Sequence, residues 1–192
     1  MCDNMIDYLY FLIIIFLAFI TGAVVKIADY LEDTKKEKRK SFLISLGIVY
    51  GLLIFLMCYY FPIIAPIWLG TVLGLILFGK IDKLSHRIAT VLSILLTLLL
   101  IPQVVGFLLV VFIIINMLEE LVNDYFDEHK IKNYGLQKIA TSRPLLEISG
   151  FIASLLLWKW EIFIAILFFD IAYLIISKYE RGYLYSPKKR RK

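Results

Sequence analysis

The apolar runs decide most of what this chain can become. Residues 11–17 read Phe-Leu-Ile-Ile-Ile-Phe-Leu, with no alternation and no polar face. Comparable runs recur along the sequence. A helix apolar on all sides belongs in lipid rather than on the rim of a water-facing core. Lipid then leaves the backbone little choice. Every N–H and C=O must be satisfied without water, so a span is a helix or part of a closed barrel. Barrel strands alternate between lumen and lipid, and these runs do not. The expected fold is therefore all-α: a polytopic bundle of transmembrane helices in a cell membrane. Composition agrees, since only 19% of the 192 residues are charged, against about a quarter in a soluble domain.

Seven apolar segments are expected, at about 8–25, 42–60, 63–78, 88–101, 104–118, 144–158 and 162–176. Several fall short of the roughly 20 residues that cross a bilayer. Six spans are also admitted, if 88–101 and 104–118 form one interrupted hairpin. Residues 1–178 read as a single membrane domain and 179–192 as a basic cytoplasmic tail. Asp3 and Asp7 precede the first segment where a cleavable signal peptide has basic residues, so a retained helix is expected. Cys2 and Cys58 have no disulfide or metal spacing.

The net charge of +5 is concentrated in loops. Lys26, Lys35, Lys36, Lys38, Arg39 and Lys40 fall in the first. Lys80, Lys83, His86 and Arg87 fall in another, and Lys130, Lys132, Lys138 and Arg143 in a third. An outside N-terminus puts all three loops and the tail Lys188–Lys192 inside, leaving Lys159 alone outside. The tail is suited to an anionic lipid surface, and nucleic acid is not expected as a partner. His86 reads as a surface loop histidine. Gly47-x-x-x-Gly51 and Gly70-x-x-x-Gly74 predict close helix–helix approach.

The chain also resembles itself. Residues 19–33 lead an apolar helix into Ala-Asp-Tyr-Leu-Glu-Asp, and residues 113–128 lead another into Asn-Asp-Tyr-Phe-Asp-Glu. Each is followed by basic residues and two more apolar segments. This suggests parallel repeats in a 3+1+3 plan, with sites expected at the repeat interface. In the first acidic stretch, Asp29, Glu32 and Asp33 share a helix face. In the second, Asn116, Glu120, Asp124 and Asp127 form one stripe, with Asn123 beside it. Two facing carboxylate clusters repel, and a divalent cation such as Mg²⁺ relieves that repulsion while binding phosphate oxygens. The plain alternative is solvated caps and i,i+4 ion pairs. Asp170 lies mid-segment, where a carboxylate costs about 2.5–3.5 kcal/mol on insertion scales, so it should face the bundle interior.

Asn-Asp-Tyr-Phe-Asp at 123–127, followed by Lys132-Asn-Tyr-Gly-Leu-Gln-Lys138, resembles an aspartate-rich loop of the UbiA-type membrane prenyltransferases. The resemblance covers the two acidic loops and the helices between them. It implies Asp29, Glu32, Asp124 and Asp127 as ligands of Mg²⁺, and Lys132 and Lys138 as contacts to the diphosphate of an isoprenoid donor. The partners it implies are the bilayer, that donor and a lipid-soluble acceptor; no catalytic side chain is assigned. Two other functions fit the same residues. One is a small-solute carrier, since Pro102-Gln103 and the 3+1+3 plan resemble Pro-Gln-motif sugar carriers. The other is a non-catalytic membrane subunit.

Overall fold

The computed structural model describes residues 2–34, 40–100, 104–129 and 143–185, with side chains from 8 to 179 within those ranges except 127. Seven helices and no strand occur among the described residues. They are α1 (Cys2–Asp33), α2 (Lys40–Tyr60), α3 (Ala65–Leu77), α4 (Leu84–Leu100), α5 (Gly106–Glu128), α6 (Pro144–Leu157) and α7 (Glu161–Tyr185). Four contain stretches long and apolar enough to cross a membrane: Tyr8–Asp33, Lys40–Tyr60, Gly106–Phe126 and Glu161–Tyr179. The other three are shorter apolar helices.

The surface is the apolar part of this protein. Leu99 is 70% exposed, Phe107 77% and Leu156 76%, whereas Thr21, Ser85, Ser93, Thr97 and Ser154 are fully buried. Apolar side chains spread over so much surface are not tolerated by a water-soluble monomer. This is a membrane protein, with lipid expected on the outer faces and small polar residues where helices meet.

Those small residues set the packing. α2 lies against α4, α1 against α7 and α3 against α5. A side chain at Gly47 would collide with the Ser85 carbonyl, 2.6 Å away, and one at Gly51 would meet Ala89 Cα at 2.9 Å. At Gly70 and Gly74 the obstacles are Phe112 Cβ at 2.7 Å and Asn116 Cβ at 2.9 Å. Both Gly-x-x-x-Gly pairs are thus in backbone-level contact. Gly22 makes the third close approach, against the Phe169 carbonyl of α7. Residue numbers rise together along each pair, so α2 and α4 run parallel, as do α3 and α5. α6 and α7 run antiparallel, with Gly150 against Ile166 and Ser154 against Phe163.

The pairing has an internal correspondence. If α1–α3 and α5–α7 are equivalent units, the contact of α1 with α7 matches that of α5 with α3. Likewise α1 with α2 matches α5 with α6, and α2 with α3 matches α6 with α7. α4 is the extra helix, packed mainly on α2.

Several boundaries differ from expectation, and charge is the reason. α1 continues to Asp33 rather than ending at 25, because Lys26, Asp29 and Glu32 find partners on other helices. α4 starts at Leu84, four residues before the expected 88, and so takes in His86 and Arg87. α5 reaches Glu128 rather than 118, and α7 runs to Tyr185 rather than 176, into the expected tail. α3 starts later than 63 because residues 62–64 form a turn, with Ile64 N–H bonded to the Phe61 carbonyl at 2.8 Å.

Candidate functional site

Charged side chains gather around the last turns of α1 and α5, the α3–α4 turn, the start of α6 and the middle of α7. The α3–α4 turn is the first organiser. Gly79, with φ of 69°, donates its N–H to the Ile76 carbonyl, and Lys80 N–H reaches the Leu75 carbonyl, both at 3.0 Å. This pair of bonds is a Schellman motif, which ends a helix sharply and reverses the chain. Its consequence is that Lys80 and Lys83 face different acidic helices. Lys80 pairs with Asp124 of α5. Lys83 bonds Asp29 at 3.2 Å and Asp33 at 2.8 Å, both on α1. Burial opposes the Lys83 charge, but the Asp33 bond and the nearby Asp29 more than restore it, so its pKa lies above that of a free lysine.

Among the described acidic residues, Asp29 makes the most side-chain bonds. Its Oδ1 meets His86 Nε2 at 2.7 Å as well as Lys83, and its Oδ2 accepts the Tyr173 hydroxyl at 3.0 Å. The other ring nitrogen of His86 lies 2.7 Å from the Tyr50 hydroxyl. His86 is therefore an interhelical connector between α1 and α2, not the surface histidine expected of a loop. The extra residues of α4 carry it inward.

Two glutamates cap helices. Glu32 accepts the Ser85 N–H at 3.0 Å in the first turn of α4. Glu119 accepts the N–H groups of Leu146 at 2.8 Å and Leu145 at 3.4 Å, in the first turn of α6. The first amides of a helix have no partner within it, and a carboxylate there also meets the positive end of the helix dipole. Where water is scarce such caps are structural necessities. Pro144 at the start of α6 has no N–H, so Glu119 meets the next two donors. Asn116 serves its own helix, donating to the Phe112 carbonyl at 2.7 Å.

Arg143 stands at the entry to α6 with φ of 51°, a left-handed conformation unusual for a side-chain-bearing residue. Burial disfavours its charge, yet Tyr173, Asp170, Glu120 and Asp29 together hold its pKa above the ordinary value. These groups come from α1, α5 and α7, so both three-helix units contribute. Asp170 is 6% exposed and faces inward, as its position in the segment predicts. Its Oδ2 is buried and has no hydrogen-bond partner among the described residues. By helix rise, Asp170 lies about 14 Å along α7 from Glu161. Lys26 lies 4.8 Å over the Tyr173 ring and adds a cation beside the cluster.

The predicted ligands are thus distributed as follows. Asp29 and Glu32 sit together at the start of α4. Asp124 is tied to Lys80 through the same turn. The side chain of Asp127, and Lys36, Lys38, Arg39, Pro102, Gln103, Lys130, Lys132 and Lys138, lie outside the described residues. Among the described residues, no group of three or more His, Cys, Asp or Glu side chains is placed to hold a metal ion. Of the expected ligands, Asp29 faces Lys83 and His86, Asp124 faces Lys80, and Glu32 accepts a helix amide through one oxygen while its Oε2 is buried without a partner among the described residues. Arg143 was expected only as one of the basic residues of the third loop, and Glu147, an acidic residue in the first turn of α6, was not singled out.

Comparison with protein-family models, curated proteins and solved structures finds no match.

Proposed function

We propose that this protein is a multi-pass carrier of a small hydrophilic solute, built on a 3+1+3 plan, with its C-terminus on the cytoplasmic side. The observation that carries the reading is the meeting of Asp29 with Lys83, His86 and Tyr173, which joins both three-helix units, with Asp170 buried one turn from Tyr173. Ionisable residues inside membrane bundles mark substrate and ion paths, and repeat-built carriers place their sites between the repeats. The matching contacts of α1–α3 and α5–α7 support such a plan. The parallel run of α2 with α4 and of α3 with α5 supports alternating crossings, and the basic loops support the orientation. One guanidinium among several carboxyl groups suits a solute bearing both charges: its acidic group on Arg143, its amine among Asp29, Glu120 and Asp170. The test is counterflow of labelled amino acids in liposomes. At least one should accumulate, and Arg143→Gln or Asp170→Asn should slow it by about tenfold or more, equivalent to 1.4 kcal/mol or greater. No counterflow across the panel would remove this reading.

A second reading is UbiA-like transfer from an isoprenoid diphosphate with Mg²⁺ to a lipid-soluble acceptor. The observation in its favour is that Asp29 and Asp124 are both anchored by one turn, between Lys80 and Lys83. It ranks second because those carboxylates are already matched by cations. Incubation with labelled prenyl diphosphate and Mg²⁺ tests it, and failure of both transfer and diphosphate binding would dismiss it.

A further inference from the structure

Three buried polar atoms stay unmatched where α3 of the first unit faces α7 of the second. Trp68 and Thr71 lie one turn apart on α3, and Asp170 lies on α7. They are 5%, 7% and 6% exposed. Among the described residues, Trp68 Nε1, Thr71 Oγ1 and Asp170 Oδ2 have no hydrogen-bond partner. Protein interiors leave few such atoms unpaired, and each calls for an explanation. The Trp68 ring brings the two helices together, its centroid 5.0 Å from that of Phe169, the residue before Asp170. Phe169 stacks on Tyr173 at 6.4 Å, and the Tyr173 hydroxyl bonds Asp29 at 3.0 Å. Trp68 therefore lies about one helical turn deeper in the bundle than Tyr173. The three atoms differ in kind: an indole N–H only donates, a carboxylate oxygen accepts, and a hydroxyl does both. Trp68 and Asp170 do not bond each other. One molecule satisfies both if it offers an acceptor to the indole and a donor to the carboxylate.

We propose that Trp68, Thr71 and Asp170 form the solute site, and that the solute is an amino acid whose side chain ends in an amide or a hydroxyl group. Its ammonium donates to Asp170 Oδ2. Its side-chain oxygen reaches deeper, accepting from the indole N–H of Trp68 and pairing with the Thr71 hydroxyl. The Phe169 and Trp68 rings supply the apolar wall beside it. Selectivity follows from the unmatched atoms. An apolar side chain of the same shape would leave the indole N–H and the hydroxyl buried and unpaired, and sites built to hydrogen-bond a substrate reject such analogues strongly. This choice of solute rests on the carrier reading, whereas binding at Trp68 is measured without transport.

The chain has three tryptophans, and the other two, Trp158 and Trp160, are 81% and 37% exposed. Replacing both by phenylalanine in the full chain leaves Trp68 as the one fluorescent indole, a reporter inside the proposed site. The protein in lipid nanodiscs is titrated with asparagine, glutamine, serine and threonine, and with leucine and valine as matched apolar shapes. At least one of the four polar amino acids should shift the Trp68 emission saturably. Threonine should bind about tenfold or more tighter than valine, or asparagine than leucine. Asp170→Asn should weaken binding of all of them, and Thr71→Val should narrow the preference for the polar member of each pair. Each variant is checked for folding by gel filtration. No saturable shift with any of the four would overturn the site. So would an equal response to the polar and apolar members of both pairs, or a response unchanged in both variants. Counterflow without a Trp68 response would remove this site and leave the carrier. A Trp68 response without counterflow would remove the carrier and leave the site.

Discussion

Replacing Glu119 by alanine is the sharpest test of how the polar end is held together. Glu119 is 3% exposed and accepts two amides, Leu146 N–H at 2.8 Å and Leu145 N–H at 3.4 Å. Removing its carboxylate leaves both donors without an acceptor in a place water reaches poorly. Each buried donor so stranded costs roughly 1–3 kcal/mol. The longer bond to Leu145 is weak, so the sum should fall near the lower half of the range, about 2–4 kcal/mol. Glu119→Gln keeps one carbonyl oxygen for Leu146 and loses the charge at the helix dipole, which should cost about 1–2 kcal/mol. The assay is reversible unfolding in mixed detergent micelles, with hydrogen exchange read at the first turn of α6. The ordering should be wild type, then Glu119→Gln, then Glu119→Ala, with faster exchange at Leu145 and Leu146. Equal unfolding midpoints for all three, with unchanged exchange, would refute the capping account.

Further outcomes follow from the same contacts. Gly51→Leu forces a side chain onto Ala89 Cα, which lies 2.9 Å from the position of its first carbon. It should cost at least the 1–3 kcal/mol or so typical of overpacking, seen as a lower melting temperature. Asp29→Ala strands His86, Lys83 and Tyr173 together and should destabilise by about 3–5 kcal/mol, with Asp29→Asn milder, by the same unfolding assay. Lys83 has a raised pKa, so its pairing with Asp33 and Asp29 is intact below the ordinary lysine pKa and is lost as pH climbs through the raised one. Lys83→Met should therefore be less stable than the wild type at neutral pH, and the gap should close as pH rises through the raised pKa, read by the same unfolding assay.

Much of the architecture was legible in the residues because lipid restricts the options. All-round apolar runs imply helices, and Gly47, Gly51, Gly70 and Gly74 mark where two helices touch. Asp170 had to face inward for energetic reasons alone, and it does. The rest depended on contacts between residues far apart in the chain. Lys80 and Asp124 are 44 positions apart, and His86 and Asp29 are 57 apart. Local reading assigns such side chains to water, since nothing nearby in sequence neutralises them. That is why α1 looked as though it ended at its charges, and why His86 looked like a loop residue. The capping of α6 by Glu119 was hidden in the same way, across 26 and 27 positions. Asp29 and Asp124 were grouped correctly by chemistry, but sequence does not reveal that a single turn supplies cations to both.

The pairing of α1 with α7 also bears on how the protein is made. Synthesis proceeds from the N-terminus, so α1 is made long before the helix it packs against exists. The face around Gly22 has no α7 to cover it until the five intervening helices have been made. The two units likewise complete each other: α3 meets α5 only after α4 has been laid against α2. Such sequence-distant closure favours slow, late assembly. A chain cut short after α6 would keep an open seam along α1, where α7 would otherwise pack.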